Sequence, residues 1–329
     1  MVILHKFLNK RNSTRDLSDS EFESLVPQLA KELTEVSFCP EHSDEVLLKS
    51  WKKLCEYTSD SDITSSTVLV GMKLCAHFFP NFFNIKNSKD QTFDILWKDT
   101  KNLEKILRWN RKSHSTPYLS ELKRGIYFCC GLTKNTMFRP HLSKMICDAN
   151  QGNSVLDPCA GWGGRMLGAV ASGKSYIGFE PCNETYENLN RLKSYLKLQN
   201  VTLINDVAEN MNKYDFENVD MILTSPPYFN LEIYSDRGSE TKYSNYTEWV
   251  TEWLSPLIKQ STDRLNPAGW SCWNVHNVGK MKIIDDIFSI HENLNYEQVR
   301  YFGIMSGKRQ TNDQTKKNLD ITKVYSLDK

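Results

Sequence analysis

The chain has 329 residues, 40% hydrophobic and 25% charged, which is enough to bury a large core and unlike the composition of a disordered protein. Its 41 basic and 40 acidic side chains nearly cancel, so net charge names no partner, and nine cysteines without a C-x-x-C pair give no reason to expect a zinc site, any other metal or a disulfide framework. No run approaches the roughly 18 apolar residues of a membrane span, and the start, MVILHKFLNK, lacks the apolar stretch of a signal peptide, so a cytoplasmic protein without membrane contact is expected.

The distribution of charge along the chain is uneven. Residues 16–62 hold 12 acids and 4 bases, whereas residues 101–145 hold 10 bases and 2 acids. Segments 17–58 and 63–109 read as helices with aromatic interruptions, so 1–130 is expected to form a mainly helical domain and 131–329 a second one. Arg108, Arg111, Lys112, Lys123, Arg124 and Lys134, interleaved with Trp109 and Tyr118, are candidate contacts for a polyanion, although such a run equally suits a solvated helix face.

From about 150 onward, short β-rich runs alternate with helical ones. Strands are predicted at 154–158, 175–180, 201–205, 219–224, 269–275, 297–305 and 321–327, with helices near 163–172, 183–199, 245–265 and 280–294. That alternation predicts an α/β, doubly wound, Rossmann-like sheet. Asn183 is a candidate N-cap, and the polar stretch 306–320 reads as a loop between the last two strands.

The first of these strands runs into LDPCAGWGGR (156–165), an acid at a strand end followed by glycines that open a helix. Glycine lets backbone pass close to a ligand, and the new helix offers free amides. The next two strands end in Glu180 and Asp206, the one suited to the hydroxyls of a ribose and the other to a purine amine, so that with Asp157 three acids close three successive strands. GAVASGKS (168–175) satisfies a phosphate-loop pattern letter for letter. However, its first glycine falls inside a helix and its Lys-Ser leads into a strand, which is the reverse of the required context.

TSPPYFN (224–230) follows the predicted strand VDMILT. An exocyclic base amine is a poor nucleophile because its lone pair is delocalised into the ring, and accepting hydrogen bonds from its N–H groups draws that pair out. The Ser225 hydroxyl and the Pro226 carbonyl are suitable acceptors, two locked prolines fix the carbonyl's direction, and Tyr228 can stack on an extracted base.

Taken in order, DPCAGWGGR, the strand-ending Glu180 and TSPPY resemble the S-adenosylmethionine-dependent amino-methyltransferases that modify exocyclic amines of DNA bases. The resemblance covers roughly 135–275 and implies a seven-stranded methyltransferase sheet whose last strand is antiparallel, S-adenosyl-L-methionine as cofactor and DNA as partner. It implies cofactor contacts from Phe138, Arg139 and Pro140 in FRPHLSKMI, then from Asp157, Cys159, Ala160, Gly161, Gly163, Glu180, Pro181, Asp206, Val207 and Ser225. Catalysis falls to Ser225, Pro226, Pro227 and Tyr228. Serine at the first place of the motif goes more often with N4 of cytosine than with N6 of adenine. The alternatives are an RNA base amine as substrate, or a nucleic-acid-binding protein of this fold without catalysis. Glu232, Tyr234, Tyr243 and Tyr246 are candidates for a base-contacting lid, or else members of a plain surface loop. Asn274, His276 and Asn277 fall near the same sheet edge, with His276 read as structural. With no separate target-reading segment after the motif, recognition is expected to fall to the helical part.

Overall fold

The computed structural model describes residues 14–86, 90–132, 136–229 and 243–305, together with the backbone of 319–327. In chain order the elements are α1 (Asp19–Thr34), α2 (Asp44–Cys55), β1 (Ile63–Ser65), α3 (Met72–Phe78), α4 (Phe93–Lys98), α5 (Thr100–Lys112), α6 (Leu119–Cys129), α7 (Pro140–Ala149), β2 (Ser154–Asp157), α8 (Gly164–Ala171), β3 (Ser175–Phe179), α9 (Asn183–Tyr195), β4 (Val201–Ile204), β5 (Val219–Thr224), α10 (Tyr246–Trp249), α11 (Ser255–Thr262), β6 (Leu265–Asn274), α12 (Ile283–Asn293), β7 (Tyr296–Met305) and β8 (Leu319–Leu327). A π-helical turn, Val250–Leu254, joins α10 to α11.

These elements form two compact units. One comprises Met1–Pro40 and Pro80–Thr136, the other Glu41–Phe79 and Met137–Lys329, which differs from the division at 130 expected from the sequence. Segment 41–79 belongs with the sheet for a physical reason. Leu47 and Leu54 of α2 and Leu74, Cys75 and Phe78 of α3 are buried in one apolar cluster with Val155, Met221 and Leu223 of the central strands. Helical periodicity reveals that a face is buried but not what buries it.

In the helical unit, α1 opens on a capping box in which the Ser18 side chain accepts from the Glu21 amide and the Glu21 carboxylate accepts from the Ser18 amide. Its apolar stripe, Phe22, Val26, Leu29, Ala30 and Leu33, packs with Phe93 and Trp97 of α4, Ile106 of α5 and Ile126 of α6. The Trp97 indole donates to the Leu33 carbonyl at 3.1 Å, which satisfies the polar edge of a buried ring.

The second unit is built on an eight-stranded sheet in the order β4-β3-β2-β5-β6-β8-β7-β1. Only β8 runs antiparallel, against both β6 and β7. All seven predicted strands are present. The eighth, β1, was expected to be helix. It pairs in parallel with β7 (Ile63↔Gly303), so the seven-stranded expectation is one strand short. Successive residues face opposite layers: Val155 enters the cluster with α7, α8 and α9, while Leu156 enters the other with α10, α11 and α12. A sheet covered on both faces needs near-continuous apolar strands such as VDMILT, where five of six residues are buried. The chain winds outward from β2 through β3 to β4 and then returns to β5 on the other side of β2. The carboxyl ends of β2 and β5 therefore form a topological switch point, where open α/β sheets bind ligands.

Candidate functional site

Asp157 ends β2 at that switch point, fully buried. Its carboxylate accepts from Arg165 Nε (2.7 Å), the Tyr176 hydroxyl (2.8 Å), the Thr224 hydroxyl (2.8 Å) and the Cys159 amide (3.2 Å). These donors come from α8, β3, β5 and the glycine loop, so one carboxylate ties four segments together. With its lone pairs taken, Asp157 shapes the loop from beneath rather than facing a ligand. Arg165 also donates to the Cys159 and Ala160 carbonyls and lies 5.2 Å from the Phe138 ring centre. Burial raises the Tyr176 hydroxyl pKa well above its usual value, reinforced by the adjacent Asp157 charge.

The loop itself turns on two left-handed glycines, Gly161 (φ 57°) and Gly163 (φ 71°). Gly164 answers a different demand, since a Cβ there would stand 2.0 Å from the Phe138 carbonyl oxygen. Gly168 likewise lies inside α8, where a Cβ would stand 2.3 Å from Ser143 Cβ on α7. That helix contact accounts for the first glycine of the phosphate-loop look-alike. Its lysine, Lys174, is buried and donates to the Asn150 and Gly152 carbonyls.

Glu180 follows β3 and is 8% exposed. One carboxylate oxygen accepts from the Gly161 amide and the other from the Cys182 amide, both at 2.9 Å, which fixes its plane against the glycine loop. Burial pushes its pKa up to about 7, against the pull of these two amides. Asp206, after β4, accepts from the Val207 amide (2.8 Å), the Asn210 amide group (2.9 Å) and the Tyr214 hydroxyl (2.9 Å). Burial alone would raise its pKa, but the hydrogen bonds outweigh it and hold the carboxyl below its usual range. Asn205 joins the two acids by donating to the Glu180 carbonyl at 2.9 Å.

Among the remaining residues expected near a cofactor, Phe138 lies beside the loop. Arg139 turns away from it and donates to the Ser66 and Val68 carbonyls, both at 2.7 Å. Pro140 is the first residue of α7, and the Ala160 amide is held by the Phe179 carbonyl at 2.8 Å. Helix α9 begins at Asn183, with Cys182 and not Asn183 in the N-cap position.

Ser225 lies at the carboxyl end of β5, next to the end of β6. Its hydroxyl donates to the Asn274 carbonyl at 3.1 Å, and the Asn274 side-chain amide approaches the same oxygen at 3.4 Å. With its proton so directed, the Ser225 oxygen presents lone pairs. Among the described residues no donor reaches the neighbouring Pro226 carbonyl. Tyr228 is 9% exposed and belongs to the apolar cluster that also holds Trp249, Trp253 and Val275. Its hydroxyl meets His276 Nδ1 at 2.8 Å. Asn277 is a structural brace whose side-chain oxygen accepts from the Ile284 amide at 3.0 Å, at the start of α12. Tyr246 donates to Asp286 at the edge of the same apolar layer. Glu232 and Tyr234 lie outside the described residues.

Of the five basic candidates among the described residues, Arg108, Arg111 and Lys112 line one pocket with Asp19, Phe22 and Glu23, and four of the five have partners within the protein. Arg108 pairs with Glu23 (2.9 Å) and Glu104 (3.1 Å), and Arg124 with Glu121 (2.7 Å). Arg111 donates to the Leu17 carbonyl and Asp19 and lies over the Phe22 ring, while Lys123 donates to the Phe38 carbonyl. Lys112 is exposed, and Lys134 lies outside the described residues. Surface pairs such as those of Arg108 and Arg124 are worth about 0–1 kcal/mol and can be exchanged, whereas Arg111 and Lys123 are built into their unit. Among the described residues no three His, Cys, Asp or Glu gather as a metal site, and no helix is long and apolar enough to cross a membrane.

No family model matches the chain. An 85-residue stretch is 34% identical to the type II methyltransferase M.MjaVI of Methanocaldococcus jannaschii, which is 26% of this chain and 41% of that protein's length. Solved structures overlay on more than half of the chain at low identity. An rRNA methylase from Streptococcus thermophilus gives a TM-score of 0.42 and 16% identity over 59% of this chain and 100% of its own. SMU.1697c from Streptococcus mutans, in complex with SAH, gives 0.39 and 18% over 58% and 100%. Scores of this size carry no argument about activity. The Rossmann-like methyltransferase architecture is visible in the strand order and the antiparallel β8 themselves.

Proposed function

We propose that the chain transfers a methyl group from S-adenosyl-L-methionine to an exocyclic amine of a nucleic-acid base, with N4 of cytosine in DNA the first candidate and N6 of adenine the second. The observation that carries this reading is the polarity of Ser225: its proton goes to the Asn274 carbonyl, so its oxygen is an acceptor beside the Pro226 carbonyl. Two adjacent acceptors match the two N–H bonds of one amine.

The residues at the β2–β3 edge fit the cofactor. At Gly161 a Cβ would find no atom closer than 3.7 Å, so the glycine leaves room at the loop mouth next to a carboxylate, Glu180, suited to a ribose diol. When bound, the cofactor supplies an electrophilic methyl group on a sulfonium. Gly161, Gly163 and Glu180 hold it at the switch point, and Asp206 and Val207 border the base end. Ser225 and Pro226 draw the amine lone pair out of conjugation, while Tyr228 holds the ring. As the nitrogen gains positive charge its N–H bonds strengthen toward these oxygens, which therefore stabilise the transition state more than the ground state. Both are weak bases, so the displaced proton passes to water. Target contacts come from exchangeable cations of the helical unit, Arg108, Lys112 and Arg124.

The test is incubation with methyl-labelled cofactor and separate DNA and RNA pools, followed by nucleoside mass spectrometry. N4-methylcytosine in DNA is the expected product. N6-methyladenine or a methylated RNA base would redirect the substrate, and no label in either pool would defeat the reading.

Glu180 adds a pH signature. Its protonated form cannot accept two hydroxyls, so cofactor affinity is expected to be level above pH 7 and to fall about tenfold per unit below it, as one proton competes. The ligand-free fold responds in the opposite sense. A folded pKa raised from the usual 4.5 to about 7 contributes stability that is fully present below 4.5 and lost as pH rises through 7. Titration calorimetry across pH 5.5–8.5 checks the first trend, which Glu180→Gln should flatten.

A further inference from the structure

Tyr228 is held at its far end by a residue outside the motif. The His276 backbone amide donates to the Tyr228 hydroxyl oxygen at 3.0 Å, while His276 Nδ1 lies 2.8 Å from the same oxygen. The rings meet edge to face, with centroids 4.8 Å apart and planes at 87°. A phenol carries one proton and two lone pairs. The amide fills one lone pair, and a hydroxyl that donates its proton to Nδ1 places, for a neutral imidazole, the ring proton on Nε2.

His276 is itself anchored. Val275 before it is 2% exposed in the core, and after it the Asn277 side-chain oxygen accepts from the Ile284 amide of α12 while Val278 and Met281 bridge each other. Two hydrogen bonds to one oxygen from one braced residue remove the swing of the tyrosine ring about its side-chain bonds.

We infer that His276 is a positioning residue that clamps Tyr228 through its hydroxyl, so that the aromatic face beside Ser225 is set before a base arrives. This rests on the function proposed above. Preorganising a contact ring avoids an ordering cost at the moment of binding. A net hydrogen bond corresponds to a loss of between about two- and tenfold when removed.

The experiment has a structural and a kinetic arm. Imidazole 15N NMR of the folded protein is expected to show the Nε2–H tautomer for His276, and to lose that preference in Tyr228→Phe. A tautomer balance that Tyr228→Phe leaves unchanged would overturn the clamp whatever the activity. In turnover assays His276→Ala and His276→Phe are expected to lower kcat/KM for the polynucleotide about two- to tenfold with the cofactor KM unchanged. His276→Asn, whose side-chain oxygen occupies the place of Nδ1, should restore it. In a Tyr228→Phe background His276→Ala should cost nothing more. Equal losses for Ala and Asn, or a full additional loss in that background, overturn the positioning role while leaving the methyl-transfer reading standing. A wild-type protein that methylates no polynucleotide defeats that reading, and the positioning role with it.

Discussion

Arg165→Ala is expected to lower the unfolding free energy by about 3–5 kcal/mol, the usual cost of leaving a buried charge without its partner. Arg165 is 5% exposed and Asp157 is fully buried, and their 2.7 Å contact lies beneath the glycine loop. Removing the guanidinium leaves a carboxylate with three neutral donors from Cys159, Tyr176 and Thr224. It also strips the Cys159 and Ala160 carbonyls of their donor, so the loop that borders Glu180 should loosen together with the fold. Arg165→Lys should recover little, because an ammonium cannot reach the carboxylate and two carbonyls in one plane. Chemical denaturation with an unchanged m-value is the measurement. The double variant Asp157→Asn/Arg165→Met should be less destabilised than Arg165→Ala alone, since no charge is left buried. If Arg165→Ala costs less than about 1 kcal/mol, the pair does not organise the site.

The sheet was legible because its strands are short, β-rich and punctuated, and because alternation with helices admits few topologies. Strand β1 was not, as three residues, Ile63–Ser65, carry no period of their own and become a strand only by pairing with β7, some 240 residues later (Ile63↔Gly303). The acids were legible as strand-end residues, but their roles depend on convergence. Nothing local marks that Tyr176 and Thr224 both point at Asp157, or that Glu180 meets Gly161 through its amide. The arginine in LDPCAGWGGR was a visible signal, since a buried acid at the head of a glycine loop needs a counter-charge. The basic run was legible as charge but not in its pairing. Its net charge is local, whereas Glu23 and Asp19, which pair with Arg108 and Arg111, lie on α1 some 85 to 92 residues earlier. In the motif, Ser225 could be read as an acceptor, but Asn274, which directs its proton, could not.

Ser225→Ala is expected to reduce kcat by about 10²-fold while leaving cofactor affinity unchanged, comparable to removal of one preorganised group that acts on developing charge. The reasoning starts from the direction of a proton. In Ser225 the hydroxyl is committed to the Asn274 carbonyl at 3.1 Å, so the oxygen faces the amine with lone pairs only. Before transfer the amine is neutral and the hydrogen bond is ordinary. At the transition state the nitrogen carries partial positive charge and the bond becomes charge-assisted, roughly twice as strong. An interaction that grows along the reaction appears in kcat, whereas one made equally throughout appears in KM. Ser225 is half-buried at a strand end, so alanine removes the acceptor without opening the core. Ser225→Asp should retain much of the rate, because a carboxylate also accepts. Asn274→Ala should matter little, since the main-chain carbonyl and not the side chain, at 3.4 Å, receives the serine proton. Steady-state kinetics with a saturating polynucleotide decide the point. A change confined to KM would make Ser225 a ground-state contact, and an Asn274→Ala variant as slow as Ser225→Ala would move the acceptor role to the amide side chain.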